Sequence, residues 1–87
     1  MKATVKIIEY PNRFWHTADI KIINHGGCLR ELIEVNRYYD VDKDWIYIYD
    51  TCGGHDNIKR GRLLRKINIS GYELETLVCR NSNPEKQ

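Results

Sequence analysis

Two short segments of the sequence carry histidine and cysteine at the spacing of zinc ligands. They are the tetrapeptides HGGC at 25–28 and CGGH at 52–55, so the second is the first in reverse order. Two ligands separated by two residues can bind one tetrahedral zinc ion from a single tight turn, and two such turns complete a Cys₂His₂ set. The pattern predicts zinc as a cofactor in a closed structural site, with these ligands: His25, Cys28, Cys52 and His55.

Two other interpretations of these segments stay open. Gly-Gly pairs form tight hairpin turns, and His and Cys can flank such turns by chance. A disulfide between Cys28 and Cys52 would leave Cys79 over, and three cysteines without an export signal favour thiols over a disulfide framework. Cys79 is expected to be buried packing, and His16 is expected to be an ordinary surface or core histidine.

A basic stretch at 59–66 has the composition of a phosphate-binding surface. It contains no acid, and its cations are Lys59, Arg60, Arg62, Arg65 and Lys66. Trp45, Tyr47 and Tyr49 alternate along a neighbouring predicted strand, and bases stack on aromatic rows of this kind. Together the two features predict a surface for single-stranded nucleic acid. The alternative is that the aromatic row packs in the core and the basic run is a solvated strand edge.

Aromatic and acidic residues elsewhere predict a protein-binding surface. Tyr and Trp are enriched at interface hot spots, and an acidic run can compete for a site that binds nucleic acid. The candidates are Trp15, Tyr38, Tyr39, Asp40, Asp42 and Asp44. In its small size and its many Ile, Asn, Lys, Tyr and Asp residues, the chain resembles small proteins of phages and mobile elements in general character, without a shared motif.

The preferred function is therefore a small inhibitor that acts through protein–protein contact. Its partner would be a host protein or nucleoprotein complex, such as a defence or nucleic-acid-handling protein, so that its general character would be anti-CRISPR-like. The alternative is a zinc-stabilised module that binds single-stranded nucleic acid. A net charge of +2, from 14 Lys and Arg against 12 Asp and Glu, is too balanced to predict polyanion binding by bulk charge alone.

Catalysis and membrane insertion are not expected. The chain has no nucleophile elbow or phosphate loop, and an enclosed pocket is hard to build in 87 residues. No apolar stretch approaches the roughly 18 residues of a membrane-spanning helix, and the first residues lack the apolar run of a signal peptide. We therefore expect a cytoplasmic protein that is not an enzyme, as a monomer or a homodimer.

A small mixed fold is predicted to position these residues. Period-two patterns predict strands at 3–9, 14–23, 45–50 and 62–69. Residues 29–37 fit both a helical stripe and strand alternation, and their composition favours the helix. Ser70 and Glu73 match a capping box, which predicts a short helix to about residue 80. The order β-β-α-β-β-α is an α+β fold with a mainly antiparallel sheet, in one domain over 1–80 with a flexible tail at 81–87.

Overall fold

The structure, a computed structural model, describes residues 2–54 and 56–79, and over these residues the chain is all-β. The seven strands found there are β1 (Thr4–Glu9), β2 (Ala18–Ile23), β3 (Leu29–Val35), β4 (Tyr38–Val41), β5 (Trp45–Cys52), β6 (Lys59–Asn68) and β7 (Glu73–Val78). Since this part of the chain contains no helix, it also contains none that is long and apolar enough to cross a membrane.

The strands of the described residues form two sheets. Sheet A has four strands in the order β3-β2-β1-β7, and sheet B has three in the order β4-β5-β6. Neighbouring strands are antiparallel except β1 and β7, which are parallel. One edge of sheet A is therefore β7, the last strand of the described residues, which lies beside β1, the first.

The core lies between the two sheets and consists of alternate residues of their strands. Successive side chains of a strand point to opposite faces, so each strand contributes every second residue. In the first two strands these are Val5, Ile7, Ile20 and Ile22, which are all buried. Sheet B contributes mainly isoleucines, and one cluster joins the two sets.

Two polar contacts also join the sheets. The Tyr39 hydroxyl of sheet B donates a hydrogen bond to the Glu9 carboxylate of sheet A. Burial first, and then this hydrogen bond, raise the pKa of Tyr39 well above its ordinary value. The Arg65 guanidinium donates two hydrogen bonds to the Glu31 carboxylate, at 2.8 and 3.3 Å. The Arg65 hydrogen bond is the main cause that lowers the pKa of Glu31.

The predicted α+β fold is wrong, because both expected helices are strands. The segment expected to be the first helix contains β3, which pairs with β2 along its length and buries Ile33 and Val35. Helix propensity is a weak preference that tertiary context overrides. Here an open edge of β2 offers hydrogen bonds and a core position to the β-branched residues of β3.

The expected second helix is β7. Gly71 has a positive φ of 86°, and the Tyr72 N–H donates to the Ile69 carbonyl at 3.0 Å, so residues 69–72 form a tight turn. That turn returns the chain alongside β1, where Glu73 and Glu75 form ion pairs with Lys2 and Lys6 at 3.7 and 3.8 Å.

Three further details of the sequence prediction are corrected, and a fourth falls outside the described residues. The prediction missed the short strand β4, and the expected strand at 14–23 begins only at Ala18. Cys79, expected to be buried, is partly exposed. The expected tail at 81–87 lies outside the residues that the structure describes.

Candidate nucleic-acid interface

The outer face of sheet B carries a row of aromatic side chains. Ile46 and Ile48 of β5 are buried, so Trp45, Tyr47 and Tyr49 point to the other side, where they are partly exposed. None of these three rings belongs to the buried cluster or packs against it. The predicted sharing of one face by the three aromatic residues is confirmed, and that face is the outer one.

The neighbouring strands extend this row across the sheet. Tyr38 of β4 lies opposite Tyr49, and Lys66 of β6 lies opposite Tyr47. Rings two residues apart on one strand are about 6.6 Å apart along it. We call the set formed by Tyr38, Trp45, Tyr47, Tyr49, Arg60 and Lys66 the aromatic face.

Two cations of β6 lie over these rings. The Arg60 Cζ is 4.4 Å from the centroid of the Tyr49 ring. The Lys66 Nζ is 4.4 Å from the Trp45 centroid and 5.8 Å from that of Tyr47. Each such contact on an exposed surface contributes only about 0.5–1 kcal/mol. The positive charges are therefore held at the rings by weak interactions that a ligand can replace.

Carboxylates border one part of the aromatic face. The Asp40 carboxylate is 3.7 Å from the Arg60 guanidinium. Desolvation, followed by the negative charge of Asp42, raises the pKa of Tyr47, and the charges of Asp40 and Asp44 raise it further. Asp42 also has a structural role, because its carboxylate accepts the Trp45 N–H at 2.8 Å in the turn before β5. The acidic residues thus lie at the β4–β5 side of the face, and the cations lie at β6.

The basic residues predicted from sequence do not all reach this face. Arg60 and Lys66 do, as their ring contacts show. Arg65 points to the opposite side of β6, where it binds Glu31. Lys59, opposite Cys52 near the end of the β5–β6 pair, and Arg62, within the region of irregular register, are both exposed.

A loop between the first two strands of sheet A carries two further exposed rings outside the aromatic face: Trp15, predicted above for protein binding, and Phe14, which was not predicted. Phe14 and Trp15 pack edge to face with centroids 4.8 Å apart, and they are 51% and 47% exposed. The Arg37 Cζ lies 5.1 Å from the Phe14 centroid and 5.9 Å from the Tyr38 centroid, so it connects the loop to the aromatic face. The signal in the sequence for Phe14 was its position beside Trp15, directly after the Pro11-Asn12-Arg13 segment.

The residues predicted for protein binding occupy several different environments. Trp15 is exposed in its loop, and Tyr38 lies on the aromatic face, with its hydroxyl donating to the Ile58 carbonyl at 3.1 Å. Tyr39 points inward to Glu9. Asp44 accepts a hydrogen bond from the Ser70 hydroxyl at 3.2 Å. Tyr38, Trp15, Asp40 and Asp42 therefore remain as surface candidates, since Asp42 is exposed although its carboxylate also accepts the Trp45 N–H.

The two glycine-paired turns belong to different sheets. The turn at 24–28 joins β2 to β3, and the segment at 53–58 joins β5 to β6. Cys28 and Cys52 are exposed thiols and do not form a disulfide with each other. Gly27 and Gly53 have positive φ values of 86° and 92°, so the turns themselves require glycine there.

The predicted zinc site stays a prediction. His55 lies outside the described residues, and the one group of three converging metal-ligand atoms found among the described residues does not include His25, Cys28 or Cys52. That group consists of His16, Asp19 and Glu34 on the outer face of sheet A, with ligand atoms within 4.8 Å of one another. It was not predicted from sequence.

Hydrogen bonds already organise this group. The Asp19 carboxylate accepts the Tyr10 hydroxyl at 2.7 Å and contacts the His16 ring nitrogen. Burial, the largest single influence, raises the pKa of Asp19, but the hydrogen bonds of Tyr10 and His16 and the positive charges of His16 and Arg13 together outweigh it, so the pKa is lowered. Glu34 lies directly opposite Asp19 in the β2–β3 pair. The hydrogen bonds of Asp19 therefore give this group a structural role in sheet A.

No protein-family model, curated protein or solved structure matches this chain.

Proposed function

We propose that the protein binds single-stranded nucleic acid on the aromatic face. The observation that carries the proposal is the row of outward-facing rings, Trp45, Tyr47 and Tyr49, with Arg60 and Lys66 placed over them. Sheets that present aromatic rings beside cations bind single strands by stacking bases and contacting phosphates. Duplexes present their bases edge-on inside a stack, so the flat ring surfaces favour single strands.

The relative size of two interactions supports this use of the rings. A cation over an exposed ring contributes about 0.5–1 kcal/mol, whereas a stacked base contributes about 1–3 kcal/mol. A base can therefore displace Arg60 from Tyr49, or Lys66 from Trp45. The displaced cation stays within reach of the same nucleotide, where it can contact the phosphate.

The charges around the face predict the strength and salt dependence of binding. Two cations reach the rings, Arg37 adds a third at the Tyr38 edge, and Asp40 opposes them. Two to three phosphate contacts on a single strand correspond to a slope of log K against log salt of about −1.4 to −2. We therefore expect weak to moderate affinity that falls as salt rises, with stacking providing the salt-independent part.

The test is fluorescence anisotropy with labelled single-stranded oligonucleotides of mixed sequence at low and physiological salt. Tyr47→Ala should reduce affinity by about 5-fold or more, because it removes the central stacking ring. Trp15→Ala is the matched control, since that ring lies in the sheet A loop. Wild-type protein that binds no oligonucleotide at low salt would exclude the proposal.

A second candidate function is protein binding through the loop that carries Phe14 and Trp15, and one observation favours it. Both rings are about half exposed at the end of a hairpin, and exposed Trp anchors are typical of interface hot spots. Inhibition of a host protein by contact would use this loop. In affinity capture from host lysate, a specific partner should be lost with Trp15→Ala and retained with Tyr47→Ala. Retention of every captured protein by both variants would exclude it.

A further inference from the structure

Strand β7 is an edge of sheet A with unusual composition. It lies at the end of the strand order, with β1 on one side, and no other strand of the described part covers it. All six of its residues are exposed, including Leu74 at 42%, Leu77 at 53% and Val78 at 42%. An open edge readily pairs with another strand, and natural proteins usually protect it with lysine, proline, bulges or short length. Strand β7 has no lysine, proline or bulge, and its two charged residues, Glu73 and Glu75, form ion pairs with Lys2 and Lys6.

The backbone of β7 shows which groups face the open edge. The Glu73 N–H donates to the Ala3 carbonyl at 3.0 Å, and the Cys79 N–H donates to the Glu9 carbonyl at 2.8 Å. Successive residues of a strand direct their backbone groups to alternate sides, so the odd-numbered residues bond to β1. The N–H and C=O groups that face outward are those of Leu74, Thr76 and Val78.

We infer that β7 pairs antiparallel with β7 of a second copy of this chain, about a two-fold axis at Thr76. In this register Leu74 lies opposite Val78 of the second copy, and Thr76 lies opposite its own counterpart. All three outward-facing residues then form hydrogen-bonded pairs, which gives about six backbone hydrogen bonds. Apolar and Thr–Thr cross-strand pairs of this kind are favourable.

Other antiparallel registers that keep both copies in one continuous sheet satisfy fewer groups. An axis at Glu75 places two carboxylates directly opposite each other, which is destabilising. It also leaves about four of the six hydrogen bonds within β7, as does an axis at Leu77. Strand β7 is therefore self-complementary in one register. This register selects a second copy of the chain as the strand that pairs with β7.

The symmetry has a consequence for the proposed nucleic-acid interface. A two-fold axis perpendicular to sheet A leaves both copies of sheet B on the same side of the joined eight-stranded sheet. The two aromatic faces then point in the same direction, which would allow one strand to contact both. The dimer itself does not depend on the proposed function, because oligomeric state is measured without nucleic acid.

The size of the interface sets the expected affinity. Six residues of extended strand span about 20 Å, so the contact belongs to the small class of interfaces. Backbone hydrogen bonds provide much of the affinity when a strand is added to a sheet edge. A reversible dimer with a dissociation constant on the order of 10 µM is expected.

The experiment is sedimentation equilibrium of the full chain under reducing conditions, up to about 500 µM. The mass should rise with concentration from 10.3 kDa towards twice that value. Thr76→Pro should give a monomer, because it removes the N–H on the axis while proline is tolerated at an edge position. Thr76→Val is the matched control, since it keeps that N–H and should keep the dimer.

A second variant and a local measurement keep the inference testable if Thr76→Pro fails to fold. Val78→Lys places a charge opposite Leu74 of the second copy and should also give a monomer. Amide hydrogen exchange at Leu74, Thr76 and Val78 should be slow in the wild type at high concentration and should become fast on dilution.

Three results would overturn the inference. A wild-type mass that stays at 10.3 kDa at the highest concentration, with fast exchange at these amides, would show that the edge stays open. A monomer with slow exchange at the same amides would assign the edge to residues 80–87 of the same chain. A dimer unaffected by both Thr76→Pro and Val78→Lys would place the interface elsewhere.

Discussion

Arg60 and Arg65 belong to the same strand but lie on opposite faces of sheet B. The Arg60 guanidinium lies over the Tyr49 ring on the outer face, whereas the Arg65 guanidinium bonds to Glu31 across the core side. Two register shifts between β5 and β6 lie between them, at Tyr49. The two arginines therefore form a natural pair of test and control positions.

Replacing each arginine with glutamine should separate binding from stability. Arg60→Gln should weaken oligonucleotide binding by about 3- to 10-fold. It should also reduce the steepness of log K against log salt by about 0.7, the contribution of one phosphate contact on a single strand. Arg65→Gln should leave binding unchanged and should cost at most about 1 kcal/mol of unfolding free energy, because its ion pair is partly exposed. Anisotropy titrations and urea melts measure both effects. Equal loss of binding in the two variants would contradict the assignment of faces.

Removing the acid beside Arg60 should strengthen binding. Asp40 lies 3.7 Å from the Arg60 guanidinium and repels an approaching phosphate. Asp40→Asn keeps the side-chain shape and removes the charge, so affinity for a single strand should rise by about 2- to 5-fold at low salt. The gain should disappear at high salt, where exposed charges are screened. A decrease in affinity would indicate that Asp40 itself contacts the ligand.

Tyr39 should make the fold sensitive to alkaline conditions. Its folded-state pKa is raised, so the neutral phenol contributes stability below pH about 10 and that stability is lost as pH rises above it. Tyr39→Phe should cost about 1–2 kcal/mol at neutral pH and should weaken the fall in stability above pH 10. Urea melts between neutral pH and about pH 11 test this. Parallel pH profiles for both proteins would argue against the Tyr39–Glu9 bond.

The paired carboxylates on sheet A should respond in opposite ways to neutralisation. Asp19→Asn should destabilise by about 1–2 kcal/mol, since it weakens the bonds to Tyr10 and His16. Glu34→Gln should change the free energy of unfolding little, or stabilise the fold by about 0.2–0.5 kcal/mol, because it removes a like charge directly opposite Asp19. The folded-state pKa of Asp19 is lowered, so its contribution is present above its ordinary pKa and is lost as pH falls below it. Thermal melts of both variants at neutral and acid pH measure this.

Gly53, in the turn after β5, should not tolerate a side chain, whether or not zinc is bound. A Cβ at Gly53 would lie 2.2 Å from the Asn57 carbonyl oxygen, and the φ there is positive. Gly53→Ala should cost about 1–3 kcal/mol, whereas Gly54→Ala is the control, since a Cβ there meets no atom within 4 Å. Urea melts with EDTA and with added zinc give the comparison.

Wild-type protein, melted with EDTA and with added zinc, tests the predicted zinc site. One zinc per chain by elemental analysis, with a melting temperature that falls on chelation, is the expected result for ligation by His25, Cys28, Cys52 and His55. Metal-free protein whose melting does not change with EDTA would remove that site.

The alternation of buried and exposed residues could be predicted wherever a strand pattern was unambiguous. The strands that contain Ile7 and Ile20 could be predicted because period-two spacing is a local property of an extended chain. The grouping of Trp45 with Tyr47 and Tyr49 follows from the same geometry. Sequence did not say which side of sheet B this row faces, because that depends on where sheet A lies.

The two wrong helices have a common physical cause. Leu32 and Leu77 lie in segments with good helix propensity, and a helix satisfies its backbone hydrogen bonds locally. In this fold the same backbone groups bond to strands that are distant in sequence, β2 for β3 and β1 for β7. The free energy of that pairing and of core burial exceeds the few tenths of a kcal/mol per residue, roughly, that separate helix propensities.

The basic run shows the same division at a finer level. The order of residues in the sequence alone shows that cations cluster at 59–66 and that aromatic residues alternate along the segment that forms β5. Register shifts between β5 and β6 decided that Arg60 reaches the rings and Arg65 does not. Local spacing and side-chain chemistry can be read along one chain, but the face that a residue occupies is decided by the strand it meets, which only the tertiary structure supplies.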